Sequence, residues 1–205
     1  PVPKRLSQMM GSLRLATIIL AAGQSKRMGS ISKLLMRIED RPMIQRVVDA
    51  AIEAGSSDIY VVTGFERDRI ESRMSGYSVN FVHNESFRAG MGTTIAEGVK
   101  AIFDQGFEGA MILLGDLPYL RADTVIAVAE SFVEHEGRKI VIPTYQVNAG
   151  HPVVFPKAFF NELTQLSGDR RARAVYARHQ SSVARIEVED PGATRDLDTP
   201  PARLS

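Results

Sequence analysis

From residue 16 to residue 135, short and largely apolar runs take turns with longer stretches in which apolar side chains recur at helical spacing. ATIILA (16–21), DIYVVT (58–63), VNFVH (79–83) and AMILL (110–114) have the length and side-chain types of buried strands. Between the first two, residues 42–54 carry Met43, Val47, Ala50, Ala51 and Ala54 on one stripe, with Pro42 at the start and Gly55 at the stop. A short charged helix is expected from about 66 to 74. Thr94 and Glu97 have capping-box spacing and should open a helix that carries Ile95, Val99 and Ile102. Asp123 is the expected N-cap of a helix running to Glu136, closed by Gly137. Such alternation implies an α/β fold with a doubly wound, mostly parallel sheet and right-handed crossovers. Further strands are expected at 140–143, 152–155 and 183–188, with short helices after Lys157 and Asp169. This C-terminal part is less regular and is expected to include an antiparallel strand.

No repeat or low-complexity linker divides the 205 residues, so the expected organisation is an N-terminal extension (1–14) and one domain (15–205). Lys and Arg number 25 against 24 Asp and Glu, a formal net charge of +1. That balance gives no ground for a nucleic-acid partner or a membrane surface. There is no cysteine, which excludes disulfide scaffolds, thiolate metal sites and cysteine nucleophiles, and fits a cytoplasmic setting. Basic residues precede an apolar run at 15–22, as in a secretion signal. The run is short, however, and passes straight into a Gly/Ser/Arg loop, as a buried strand does. No segment has the length of a membrane span.

In doubly wound sheets the ligand sits at the carboxyl ends of the strands. The first strand is followed by Ala21-Ala22-Gly23-Gln24-Ser25-Lys26-Arg27-Met28-Gly29, and then by Lys33. Small residues let backbone amides approach a phosphate chain, while Arg27 and Lys33 would neutralise its charge. The spacing is neither that of a P-loop nor that of the dinucleotide fingerprint, and an ordinary surface turn remains open on composition alone. The fourth strand is followed by Gly115-Asp116-Leu117-Pro118. A carboxylate there can hold a magnesium ion that bridges phosphate oxygens, or can simply cap a turn. Asp196-Leu197-Asp198 puts two carboxylates on one side if extended, or forms a solvated turn.

The histidines are dispersed: His83, His135, His151 and His179. His151 draws attention because it opens a strand behind Gly150, although an isolated histidine of this kind can also be structural. Ser25 lacks a strand–serine–helix elbow and evident His/Asp partners, so nucleophilic catalysis has little support.

The chain carries LAAGQSKRMG (20–29), KLL (33–35), VVTG (61–64), VHNESFRAGMGTT (82–94), GDLP (115–118), GHPVVF (150–155), GDRRAR (168–173) and DLDTP (196–200) in one order. Together they resemble the nucleotidyltransferases of molybdenum cofactor biosynthesis, in particular their cytidylyl branch, over nearly all of residues 16–201. The resemblance implies a doubly wound fold that transfers CMP from CTP to the phosphate of molybdenum-molybdopterin, with magnesium required and pyrophosphate leaving. It implies that Leu20, Ala21, Ala22, Gly23 and Ser25 contact the nucleotide and that Arg27 and Lys33 hold its phosphates. Asp116 would bind magnesium with Asp198 as second ligand. Asn84, Gly92 and Thr93 would border base and ribose. His151, Pro152 and the Arg170–Arg173 stretch, Arg173 included, would face the acceptor. An apo-molybdoenzyme or its chaperone is a further implied partner.

Two positions distinguish this chain within the resemblance. Guanylyl members carry glycine where it has Ala22, which suits a pyrimidine better here. Members usually carry glycine where it has Arg171, which touches on acceptor identity. The alternatives are a guanylyl or sugar-phosphate nucleotidyltransferase, and, from another class, a non-catalytic module that delivers cofactor. Retention of Arg27, Lys33 and Asp116 together argues against the module.

Overall fold

The computed structural model describes residues 13–24 and 32–196. Its strands are β1 (Leu15–Ala21), β2 (Arg37–Ile38), β3 (Arg41–Pro42), β4 (Ile59–Thr63), β5 (Asn80–His83), β6 (Gly109–Leu114), β7 (Ile140–Tyr145), β8 (Asn148–Ala149), β9 (Val153–Pro156) and β10 (Val183–Glu187). The main sheet runs β10-β7-β9-β6-β1-β4-β5, with β8 paired onto β7. β6, β1, β4 and β5 are mutually parallel. β9 is antiparallel to both β6 and β7, and β10 is parallel to β7. The α/β class, the mostly parallel sheet and the antiparallel C-terminal strand agree with the sequence reading. The small β2–β3 hairpin and β8 were not anticipated, because two-residue strands leave no periodic signal.

Both faces of the central strands β1, β4 and β6 are buried, which is why these strands read as nearly unbroken apolar runs. In β1, Ile19 and Ala21 enter one core cluster, while Ala16, Ile18 and Leu20 enter the other. The first cluster is covered by α1 (Met43–Glu53), α2 (Arg67–Arg73) and α4 (Ala122–Glu134). The second is covered by α3 (Met91–Ile102), α5 (Phe160–Thr164) and α6 (Arg173–Arg178). Gly55 and Gly137 follow α1 and α4 at φ +92° and +68°, the left-handed geometry expected of a glycine stop. Among the described residues no helix is long and apolar enough to cross a membrane. Of the expected N-terminal extension, residues 1–12 lie outside the described residues; Arg14 donates to the Gln105 carbonyl and stacks over Phe107.

Two helix starts differ from expectation. α3 begins at Met91 behind Gly90, so Thr94 sits inside the helix, where its hydroxyl accepts from the Asn84 amide at 3.1 Å. The capping box is overridden by that tertiary contact. α4 begins at Ala122, and Asp123 lies in its first turn without capping it. The cap comes from a residue far along the chain. Asp190 is 2% exposed; it accepts from the Arg121 amide at 3.0 Å, the Thr124 hydroxyl at 2.7 Å and the Gly192 amide at 2.9 Å. It thus binds the start of α4 to the segment after β10.

Asp190→Ala strands two buried donors, the Thr124 hydroxyl and the Gly192 amide, and the part-buried Arg121 amide. Its expected cost is about 2–4 kcal/mol, read as a shift in urea midpoint with unchanged slope. An unshifted midpoint would mean that water replaces the carboxylate without loss.

Candidate functional site

The chain runs from β1 outward through β4 to β5, then returns across the other face to β6 on β1's opposite side. The loops after β1 and β6 lead to α1 and α4, both over the first core cluster, and a crevice opens at the carboxyl ends of these neighbouring strands. The two backbones stay close at its base. The Gly115 amide donates to the Leu20 carbonyl at 3.0 Å, and a Cβ at Gly115 would stand 2.8 Å from that oxygen. Only glycine fits there, and it aims the next residue, Asp116, into the crevice.

Lys33 reaches the same point from the other loop. Ser32 is fully buried and caps a single 3-10 turn, Lys33–Leu35, by accepting from the Leu34 amide. Lys33 Nζ lies 2.6 Å from Asp116 Oδ2, and the two side chains are 15% and 19% exposed. At that burial the pair is screened far less than a surface ion pair. The other oxygen, Asp116 Oδ1, is buried and has no hydrogen-bond partner among the described residues. An unsatisfied carboxylate oxygen in such a place is an open seat for a cation.

The pair lines a cavity of about 710 Å³. Leu20, Ala22, Gly23, Gln24 and Leu34 form the wall beside Lys33. Phe87, Arg88, Gly90, Met91 and Thr94 face them from the β5–α3 connection, and Asp169, Arg171 and Asp196 close the far side. Of the expected nucleotide residues, Leu20, Ala22, Gly23, Lys33 and Asp116 thus stand together. Ala21 is fully buried and belongs to the core cluster on the α1 side. Ser25, Arg27 and Asp198 lie outside the described residues.

Asn84, Gly92 and Thr93 shape the wall from behind. The buried Asn84 amide donates to the Thr93 hydroxyl at 3.0 Å, and its carbonyl accepts from the Ser86 amide at 2.9 Å. Thr93 donates to the Gly90 carbonyl at 2.8 Å, and the Gly92 amide to the Gly168 carbonyl at 2.9 Å. These bonds lock the β5–α3 connection against the 167–170 loop. Phe87, Arg88 and Met91 also reach the cavity; they belong to the VHNESFRAGMGTT motif but were not named within it, because neither their spacing nor their residue type marks them. Asp196, read beside Asp198 as one of two carboxylates, lines the cavity, as does Asp169 of the GDRRAR motif.

Among the residues expected to face an acceptor, the His151 amide donates to the Ala193 carbonyl at 2.8 Å and its Nδ1 donates to the Ile112 carbonyl at 3.3 Å. Burial lowers the His151 pKa below its ordinary 6.5, although the Ile112 carbonyl and Asp116 pull it up; Arg171 pushes it down and Asp196 pulls it up. Those charges place His151, Asp116, Arg171 and Asp196 around one corner. Pro152 is buried at the start of β9, and Arg173 is exposed at the start of α6. Among the described residues no three His, Asp or Glu side chains gather as a metal cluster. One or two carboxylates that share a hard cation with substrate phosphates suit this site better than an all-protein cage.

The family described as MobA-like NTP transferase domain matches residues 17–183. The bifunctional protein GlmU of Syntrophomonas wolfei is 30% identical over 141 residues, covering 68% of this chain and 30% of the relative. The chain thus spans about a third of the length of the curated relatives it matches. Rv0371c of Mycobacterium tuberculosis superposes with a TM-score of 0.78 at 23% identity, covering 92% of this chain and 94% of that one. A complex of Rv0371c with manganese gives 0.71 at 22% identity, with 91% and 94% covered. A nucleotidyl transferase from Methanothermobacter gives 0.77 at 20% identity, with 90% and 92% covered. These likenesses establish the α/β nucleotidyltransferase fold.

The lowered His151 pKa fixes a sign for pH dependence. Below 6.5 the unfolded chain takes up a proton that the folded ring resists, so stability falls as pH drops through that value. Between about pH 8 and pH 5, urea midpoints of the wild type should fall more than those of His151→Gln. Parallel curves would show that the ring is not desolvated.

Proposed function

Because the chain belongs to the MobA-like NTP transferase domain family, we propose that it is a nucleotidyltransferase that moves CMP from CTP to the phosphate of molybdenum-molybdopterin. The observation that carries the nucleotidyl reading is the half-buried Lys33–Asp116 pair, one of whose carboxylate oxygens has no hydrogen-bond partner among the described residues, at the carboxyl ends of β1 and β6. The order of motifs from LAAGQSKRMG to DLDTP supports the cytidylyl and molybdopterin part.

In this reaction an acceptor phosphate oxygen attacks the α-phosphorus of the nucleotide, a new phosphorus–oxygen bond forms, and pyrophosphate departs with the electron pair of the bond that breaks. The nucleophile is already ionised, so no general base is needed; positioning and cationic stabilisation carry the rate. The turn at Ala22–Gln24 offers backbone to the phosphate chain, and Lys33 offsets charge gathering on the leaving group. Asp116, with Asp196 or Asp198 as second carboxylate, would hold magnesium, which when bound neutralises phosphate oxygens. Arg171 lies inside the cavity wall, so an anionic acceptor meets an added cation there. Delivery of the product to an apo-molybdoenzyme or its chaperone, in the cytoplasm, belongs to the same proposal.

The similarity to GlmU favours one second reading, a sugar-phosphate acceptor served by the same nucleotide half. Pyrophosphate release, measured with each of the four NTPs against molybdenum-molybdopterin and against a sugar phosphate, separates the two. Under the assay that turns over, Asp116→Asn and Lys33→Ala should each lose about 100- to 1000-fold in kcat with the fold intact. Near-normal turnover of Asp116→Asn at limiting magnesium would remove it as the metal ligand.

Base choice rests on Ala22. A Cβ at Gly64 would fall 2.8 Å from the Ala22 Cβ and 2.6 Å from the Phe87 Cβ, so these residues close on one another at the cavity's edge. One methyl in such a slot is worth about 10- to 200-fold in discrimination. Competition between equal CTP and GTP should favour CTP, and Ala22→Gly should relax that preference while activity survives. A wild-type preference for GTP would sink the cytidylyl assignment.

A further inference from the structure

We infer that Glu66 is a positioning residue: it fixes the turn that carries Lys33, and so sets where Lys33 stands opposite Asp116. The inference deepens the nucleotidyl reading but rests on contacts that exist without a nucleotide.

The connection after β4 touches the chain on both sides of residues 25–31. The Phe65 amide donates to the Ala22 carbonyl at 3.2 Å, which ties down the near side. On the far side, the Glu66 carboxylate accepts from the Ser32 amide through Oε2 and from Arg69 through Oε1. Its side chain is only 12% exposed. Ser32 is itself fully buried; its hydroxyl accepts from the Leu34 amide and its carbonyl accepts from the Leu35 amide at 3.1 Å. These bonds define the 3-10 turn, and Lys33 is its first residue. From Glu66 to Ser32 to Lys33 to Asp116, each link is a hydrogen bond, one step of chain or an ion pair.

Two observations separate this role from an ordinary helix cap. Glu66 stands at the N-cap position of α2, yet its side chain makes no capping bond to that helix. It also holds φ at +52°, where glycine or asparagine sits more easily than glutamate. The backbone thus disfavours this residue type, and the helix takes from the carboxylate only an ion pair with the exposed Arg69, not a cap. The other oxygen reaches across to the Ser32 amide, and that bond is the one tied to Lys33.

The test uses the full chain and two readouts. The first is the acetylation rate of Lys33 by acetic anhydride, followed by mass spectrometry against Lys100, Lys139 and Lys157 in the same molecule. Glu66→Ala and Glu66→Gly should raise the Lys33 rate toward that of Asp116→Asn. Glu66→Gln keeps an acceptor for the Ser32 amide and should stay near wild type, as should Arg69→Ala. Glu66→Gly also relieves the left-handed backbone, so it reports even where Glu66→Ala folds poorly. The second readout is magnesium–CTP affinity, expected to weaken on the order of 10- to 100-fold in the same two variants and to be rescued in Glu66→Gln. Wild-type labelling in folded Glu66→Ala and Glu66→Gly would overturn the inference, as would Glu66→Gln behaving like Glu66→Ala. A wild type that binds no NTP would sink the nucleotidyl reading instead, and the labelling would still decide the role of Glu66.

Discussion

The amide of Gly115 on the carbonyl of Leu20 is the bond around which the rest is arranged. It holds the ends of β1 and β6 together at the base of the cavity. The two strands become neighbours because the chain crosses one face of the sheet to build β4 and β5, then the other face to reach β6. A sheet covered on both faces leaves its ligand few places other than the crevice so formed. A side chain at residue 115 would push the strands apart and turn Asp116 away from Lys33.

The fold was readable because its central strands are buried on both faces and its helices lie on one stripe each. ATIILA and AMILL became β1 and β6 almost residue for residue, and the glycine stops fell where expected. The misread features have a common cause. Thr94 and Glu97 satisfy a local rule, but Asn84 claims the Thr94 hydroxyl from another element. Asp123 also fits a local rule, yet the cap of α4 is Asp190, more than sixty positions away. Local chemistry predicts helix ends only while no distant polar group competes for them.

The site divides in the same way. Ala22, Gly23, Lys33 and Asp116 were legible because a strand end, small residues and a charge together describe a job. Phe87, Arg88 and Met91 were not, since they reach the cavity only through the packing of the β5–α3 connection on the 167–170 loop. Glu66 carries no motif at all. Its meaning appears when Ser32 is seen beside it.

The antiparallel course of β9 has a consequence of its own. Parallel strands bring to the cavity only the loops at their carboxyl ends. β9 instead brings the loop at its amino end, Gly150–Pro152, to that end of the sheet, where His151 bonds to the Ile112 carbonyl and feels the charges of Asp116, Arg171 and Asp196. The end of the sheet that carries the cavity therefore receives chain travelling in both senses. Insertions ahead of β9 can recontour that end without disturbing the register of β1 or β6. A single scaffold of this kind can keep its berth for one substrate while the companion substrate is exchanged.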